Sequence, residues 1–80
     1  MSPPLVTVRY WAGARRAAGL ESEQLTAVDL GDLLDQLNRR PALVPILAAS
    51  AVLVDATASS GDQPMREGTI VDILPPFAGG

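Results

Sequence analysis

The sequence predicts one α+β domain, in which a mixed sheet of about four or five strands is covered on one face by one main helix, followed by a flexible C-terminal tail. A length of 80 residues suits a single hydrophobic core. Several short β-branched segments alternate with polar residues, as strands do. Only one long stretch has an amphipathic helical stripe, so one long helix covers one face of the sheet. We assign residues 1–76 to the domain and residues 77–80 to the tail.

The N-terminal third predicts a strand, a turn or short helix, and a second strand. In LVTVRYW (5–11) every second side chain is apolar, as in a strand with one buried face. The alanine-rich residues 12–20 predict a turn or short helical segment that ends at Gly19. The weaker pattern of residues 23–28 predicts a second strand that pairs with the first in a long hairpin. We expect Trp11 in the core or packed at the strand end, because large aromatic side chains are mostly buried.

The clearest single element is the helix predicted over DLGDLLDQLNRR (29–40). Asp29 is a good N-cap residue, and Asp32 holds the third helical position of a capping box. Arg39 and Arg40 are expected in the last turn, where cations interact favourably with the helix dipole. One apolar stripe follows from the i, i+3, i+4, i+7 spacing of Leu30, Leu33, Leu34 and Leu37.

The second half of the chain predicts further strands, preceded by a segment that has two interpretations. Residues 42–50 are interpreted as either a short second helix or a packed crossover. Residues 51–55 predict a third strand, and residues 57–62 at most a very short one. Gly68 is expected at positive φ in a tight turn. Residues 69–76 predict the last strand.

If the first and last strands lie side by side, their outward-facing residues become neighbours on the outer face of the sheet. Such neighbours would be parallel, and the chain would leave from the middle of the sheet. Arg9 and Asp72 are then outward-facing neighbours whose ion pair is expected to contribute little stability. Ile70 and Leu74 on that face form either a partner-docking patch or two isolated exposed side chains. We expect five carboxylates to lie in helix caps, in turns or on solvated faces: those of Asp29, Asp32, Asp35, Asp55 and Asp62.

The composition excludes most catalytic chemistry. The sequence has no cysteine and no histidine, and all six basic residues are arginine. It therefore has no thiolate or imidazole for metal binding or catalysis and no lysine for a Schiff base. A pI near 4.5 disfavours nucleic-acid binding. With no apolar run long enough for a bilayer and no signal-peptide pattern, we expect a cytoplasmic protein that binds no metal or cofactor and is no enzyme on its own.

Two segments carry a family resemblance. VRYWAGARRAAG (8–19) resembles the opening of the MoaD/ThiS sulfur carriers, and REGTIVDILPPFAGG (66–80) resembles their ending. The resemblance implies the β-grasp fold of ubiquitin. The double proline two residues before Gly-Gly is more similar to the small subunit of molybdopterin synthase than to the thiazole-synthesis carrier.

The resemblance also implies a function for the tail. An E1-like adenylyltransferase (MoeB-like) uses ATP to adenylate the carboxylate of Gly80, which then becomes a thiocarboxylate. A molybdopterin synthase large subunit (MoaE-like) holds the pterin precursor and receives the sulfur for its dithiolene. Neither nucleic acid nor a membrane is an expected partner.

The tail residues suit insertion into a partner. Gly79 and Gly80 lack a Cβ, so their backbone fits a narrow channel, and Ala78 adds little bulk. Pro75 and Pro76 favour an extended exit that limits the entropy lost on capture. Phe77 either anchors in a partner pocket or folds back onto the domain. Against this interpretation, chain ends are often small and disordered.

Three alternative functions remain open from the sequence. The chain is a carrier of the same fold for thiazole or cysteine biosynthesis, a ubiquitin-like modifier joined to target lysines, or an interaction module whose tail has no chemistry.

Overall fold

The structure, a computed structural model, describes residues 2–59 and 62–76. The described residues form five strands and three helices. In chain order the elements are β1 (Leu5–Tyr10), α1 (Ala12–Ala18), β2 (Ser22–Thr26), α2 (Leu30–Asn38), α3 (Val44–Ala49), β3 (Ala51–Val54), β4 (Thr57–Ala58) and β5 (Ile70–Leu74).

The strands form one mixed sheet in the order β2-β1-β5-β3-β4. β1 and β2 are antiparallel, as the predicted hairpin requires. β1 and β5 are parallel, with Thr7 opposite Ile70 and Tyr10 opposite Ile73, and β3 flanks β5 on its other side. The predicted adjacency of the first and last strands is confirmed. The chain therefore leaves β5 from the middle of a β-grasp sheet.

The core lies between the inner face of the sheet and α2. The alternation predicted for the first strand is confirmed, since Val6, Val8 and Tyr10 are fully buried. Val71 and Ile73 of β5 continue that inner face. From α2, the buried side chains are Leu30, Leu33 and Leu37, with Leu34 partly buried against the cluster. The single apolar stripe thus covers one face, as expected.

Several element boundaries differ from the predicted ones. The second strand ends at Thr26 because the following residues are used by the helix cap: the Val28 N–H bonds the Asp32 carboxylate. Residues 42–50 contain the helix α3, which is the first of the two alternatives. β5 ends at Leu74, since Pro75 has no N–H to continue the ladder. Gly19 and Gly68 have φ of 75° and 84°, as predicted for a helix end and a tight turn.

The N-terminus of α2 is capped from both sides. An Asp29 carboxylate oxygen accepts a hydrogen bond from the Asp32 N–H at 2.7 Å. The Asp32 carboxylate in turn accepts from the Val28 N–H at 3.0 Å. The predicted cap is confirmed, although its second bond goes to Val28 and not to the N-cap residue itself. Two otherwise unpaired backbone donors are satisfied.

Replacing Asp29 by alanine should lower the free energy of unfolding by about 1 kcal/mol, because the Asp32 N–H loses its acceptor. Urea denaturation followed by circular dichroism measures this change. Asp35→Ala, the same substitution at an exposed position within α2, is the matched control and should not destabilise the domain. Equal loss in both variants would contradict the capping role.

Arg40 has a different position from the predicted one. α2 ends at Asn38, and no basic residue lies in its last turn. Arg40 instead lies beyond the helix and reaches the edge strand β2, where its guanidinium binds both carboxylate oxygens of Glu23. The Tyr10 hydroxyl donates to the same carboxylate at 2.6 Å. The half-buried Glu23 is therefore a better partner for this cation than the helix dipole.

Glu23→Gln should destabilise the domain by about 1 kcal/mol at neutral pH, because the Arg40 guanidinium then meets a neutral amide in place of a carboxylate. The hydrogen bonds from Arg40 hold the pKa of Glu23 below its usual value. Because the pKa of Glu23 is lower in the folded state, its carboxylate stabilises the folded domain fully at pH values above the unfolded-state pKa of about 4.3. This stabilisation is lost as the pH falls through the folded-state pKa. The difference in unfolding free energy between the wild type and Glu23→Gln should therefore shrink below about pH 4.

The control for this prediction is Glu21→Gln, which changes a carboxylate whose side chain is 79% exposed. Its unfolding free energy should follow the wild-type curve across the same pH range. A constant difference between Glu23→Gln and the wild type from pH 7 to pH 3 would contradict the assigned ion pair.

Candidate functional site

The candidate site is the end of the sheet from which the tail begins. The backbone N–H of Trp11 donates to the Ile73 carbonyl at 3.2 Å, and Leu74 is paired with Ala51 of β3. The last strand is thus paired on both sides up to Ile73, and Leu74 is paired on the β3 side. Pro75 is half-buried and Pro76 is exposed. The chain thus leaves the sheet at the end of its central strand, β5.

The tail itself lies outside the described residues. This applies to Phe77, Ala78, Gly79 and Gly80. The roles predicted for them, including the thiocarboxylate at Gly80 and the partner contact of Phe77, stay predictions. The stiffening role of Pro75 and Pro76 also stays a prediction.

The outer face of the sheet carries an apolar group beside the tail exit. Ile70 and Leu74 lie on this face, as alternation along β5 predicts, with Ile70 36% exposed and Leu74 half-buried. Leu53 of β3 is opposite Asp72 and adds a third half-buried apolar side chain. The structure brings the two predicted residues together on one face, while their docking role stays a prediction.

Asp72, between Ile70 and Leu74, corrects an expectation. Its carboxylate faces outward but is only 4% exposed, because three donors surround it. The Arg9 guanidinium binds both oxygens, at 2.6 and 2.9 Å, and the Trp11 indole N–H donates at 2.9 Å. The hydrogen bonds from Arg9 hold the pKa of Asp72 below its usual value. The pair is a shielded, bidentate network and not the solvated ion pair of little effect that was expected.

Of the two positions expected for Trp11, the core position is wrong, and the side chain lies at the end of β1. The side chain is 40% exposed at the start of α1. The signal was present in the sequence, because Thr7, Arg9 and Trp11 share the outward phase of a strand whose inward phase is apolar. Ala12 follows at a φ of 47°, a left-handed conformation that costs free energy in any residue with a Cβ. This turn directs the chain from β1 into α1.

Two arginines flank the Trp11 ring. The guanidinium carbons of Arg9 and Arg15 lie 5.7 and 5.9 Å from its centroid, within cation–π range. A shallow cavity of about 260 Å³ adjoins them. Its lining residues are Arg9, Tyr10, Trp11, Arg15, Glu21 and Ser22.

The carboxylates expected in caps and turns divide into two groups. Asp29 and Asp32 cap α2, and Asp55, in the turn between β3 and β4, accepts a hydrogen bond from the Ile70 N–H at 2.9 Å. These assignments are confirmed. Asp35 and Asp62 are exposed. Over residues 2–59 and 62–76, no three potential metal-ligating side chains are grouped together, and no helix there has the length and apolarity to cross a bilayer.

The comparison with protein families covers nearly the whole chain. The model of the ThiS family matches residues 8–80, a range that begins within β1 and includes the tail. No curated protein matches the sequence at a significant level.

Solved structures share the complete fold. A complex of subunits 1 and 2 of molybdopterin-converting factor from Helicobacter pylori gives a TM-score of 0.79 at 25% identity, covering 95% of this chain and 99% of that one. A putative subunit 1 of the same factor from Pyrococcus furiosus gives 0.83 at 22%, covering 92% and 99%. Small archaeal modifier protein 1 from Methanosarcina acetivorans gives 0.80 at 22%, covering 96% and 97%. The two matches at 22% identity support the fold alone.

Proposed function

This chain belongs to the ThiS family of sulfur carriers, and from that premise we propose that it donates sulfur for the dithiolene of molybdopterin. The observation that carries the sulfur-carrier part of the proposal is the extent of the family match, which runs through the tail to Gly80. The exit of the chain from the central strand β5 supports it, because an arm anchored there is held at a defined position on the domain.

The chemistry begins at the carboxylate of Gly80. Its oxygen attacks the α-phosphate of ATP on a MoeB-like adenylyltransferase, and pyrophosphate leaves. This activation is needed because a carboxylate is a poor electrophile. A sulfide-level nucleophile then attacks the carbonyl carbon, AMP leaves, and the product is a thiocarboxylate. Gly79 and Gly80 allow the backbone to lie close to the nucleotide.

The second step takes place on another chain. A MoaE-like large subunit binds the pterin precursor and receives the sulfur from the thiocarboxylate. The Helicobacter pylori structure, 25% identical to this chain, contains both subunits of molybdopterin-converting factor. The double proline before the tail, Pro75 and Pro76, also favours this acceptor. In this scheme the outer-face residues Ile70 and Leu74 contact the partner while the tail enters its channel.

A ubiquitin-like modifier is the second candidate. The C-terminal Gly-Gly of this chain favours it, and the small archaeal modifier protein of Methanosarcina acetivorans has the same fold. In that case the carbonyl of Gly80 ends in an amide bond to a lysine of another protein. Carriers for thiazole or cysteine biosynthesis share the first step with our proposal and differ only in the acceptor.

Intact mass spectrometry tests the proposal. The purified chain is incubated with the adenylyltransferase, ATP and a sulfide donor, and the expected product has one oxygen exchanged for sulfur. Adding the large subunit with the pterin precursor should return the carboxylate and yield the dithiolene. Higher-mass conjugates in a lysate would favour the modifier. Thiocarboxylate that forms but is not consumed by the large subunit would contradict the molybdopterin acceptor.

A further inference from the structure

Charged side chains are segregated between the two ends of the sheet. We call the end where β5 stops the tail pole, and the charged side chains placed there by their contacts are Arg9, Arg15, Arg16, Arg40, Glu21, Glu23 and Asp72. The opposite end is the distal pole, with Asp29, Asp32, Asp55, Asp62, Glu67 and Arg66. Among the described residues, these side chains give the tail pole four arginines and three carboxylates, and the distal pole five carboxylates and one arginine. In a chain of net charge −3, the tail pole is the cationic end.

The exposed charge at the tail pole is more cationic than this count indicates. In the Arg9–Asp72 pair, the arginine side chain is 45% exposed and the aspartate side chain only 6%. The pair therefore presents its positive member to the solvent. Arg15 is 46% exposed and lies 3.4 Å from Glu21, whose side chain is 79% exposed. An ion pair this exposed is weak and is easily replaced by another carboxylate.

The two guanidinium groups are arranged on one surface. Both lie within 6 Å of the Trp11 ring and border the same shallow cavity. The indole N–H already donates to the buried Asp72, so covering the ring costs no hydrogen bond with water. Covering the guanidinium groups does have a cost, because their N–H donors lose hydrogen bonds to water and then need other acceptors. A partner that covers this surface must supply those acceptors.

We infer that the surface formed by Arg9, Trp11 and Arg15 docks a carboxylate-bearing segment of the adenylyltransferase, at the mouth of the channel through which the tail reaches the nucleotide. This inference rests on the proposed function, which requires such a channel. Charge complementarity selects the occupant: an acidic segment attracts the tail pole and repels the distal pole. The tail pole therefore faces the partner as the two proteins approach, and this orientation raises the rate of productive association.

A titration without any partner tests the surface directly. The probe is a hexaglutamate peptide, added to ¹⁵N-labelled protein, and the indole N–H resonance of Trp11 reports binding because the chain has one tryptophan. The resonance should shift in the wild type and in the control Arg66→Glu at the distal pole. It should not shift in Arg15→Glu. Equal shifts in both variants, or a larger response to AMP than to the peptide, would overturn the inference.

Association with the adenylyltransferase provides the second test. At low ionic strength, Arg15→Glu should slow association about tenfold, and the difference should disappear at high salt. Arg16→Glu, at the same pole, should slow it less, and Arg66→Glu should leave it unchanged or faster. Thiocarboxylate formation at saturating carrier is measured in parallel. If the wild type forms none, the proposed function fails; if it forms and Arg15→Glu associates normally, only the docking inference fails.

Discussion

Gly80→Ala is expected to lower the rate of thiocarboxylate formation about a hundredfold while leaving the unfolding free energy unchanged. A methyl group on the last residue lies beside the carbonyl carbon that must meet the nucleotide and then the sulfur nucleophile. A displacement of about 1 Å at a reacting centre is enough for a loss of this size. Stability is unaffected because the substituted residue follows the paired strand β5 by six positions.

The measurement is single-turnover conversion of the carboxylate to the thiocarboxylate, followed by intact mass. Gly13→Ala is the matched control, since a Cβ there would meet its neighbours at an ordinary 3.7 Å and lies on the folded domain. This variant should react as the wild type does. Normal turnover of Gly80→Ala would contradict the assignment of the reactive carbon.

An extension of a few residues after Gly80 provides an independent check. It moves the carboxylate away from the double glycine, so thiocarboxylate at the new terminus should not form unless a protease restores Gly80. Sulfur transfer at the normal rate from an uncleaved, extended chain would exclude the proposed chemistry.

Asp72→Ala is expected to destabilise the domain by about 2 kcal/mol, because the three hydrogen bonds that converge on this shielded carboxylate are lost together. The loss is limited because Arg9 and Trp11 are partly exposed and regain water. For a domain of 80 residues, this change lowers the melting temperature by roughly 8–16 °C.

Trp11 makes the local consequence measurable, since it is the one tryptophan in the sequence. Removal of Asp72 frees the indole N–H, so the fluorescence maximum should move to longer wavelength in the folded state. Asp35→Ala is again the control and should change neither fluorescence nor stability. A double-mutant cycle between Arg9→Met and Asp72→Ala isolates the pair from the separate contact with Trp11. Additive effects would show that the two side chains do not interact.

These two predictions separate chemistry from positioning. Gly80→Ala changes the reacting group without changing the fold, whereas Asp72→Ala changes the surface beside the tail exit without touching the tail. If the docking inference is right, Asp72→Ala should also speed dissociation from the adenylyltransferase, because Arg9 and Trp11 lose their common anchor. The rate constant of the chemical step should stay the same.

Local patterns in the sequence determined most of the scaffold. The phase of β1 followed from alternation, since Val6, Val8 and Tyr10 are all buried. The position of α2 followed from its leucine spacing and from the cap at Asp29. Both signals lie within a few residues of the structure they specify, so they need no knowledge of the rest of the chain. The C-terminal residues that indicate the chemistry are also contiguous.

Tertiary structure decided the geometry and shielding of the polar contacts, although the pairing of Arg9 with Asp72 was expected from the sequence. Arg9 meets Asp72 across 63 residues of sequence, and Trp11 joins them across 61. Arg40 leaves the end of α2 for Glu23, 17 residues away, because a half-buried carboxylate binds a guanidinium better than a helix terminus does. Such choices depend on which strands become neighbours and on how much water remains between them. Both are properties of the assembled sheet, and no local pattern encodes them.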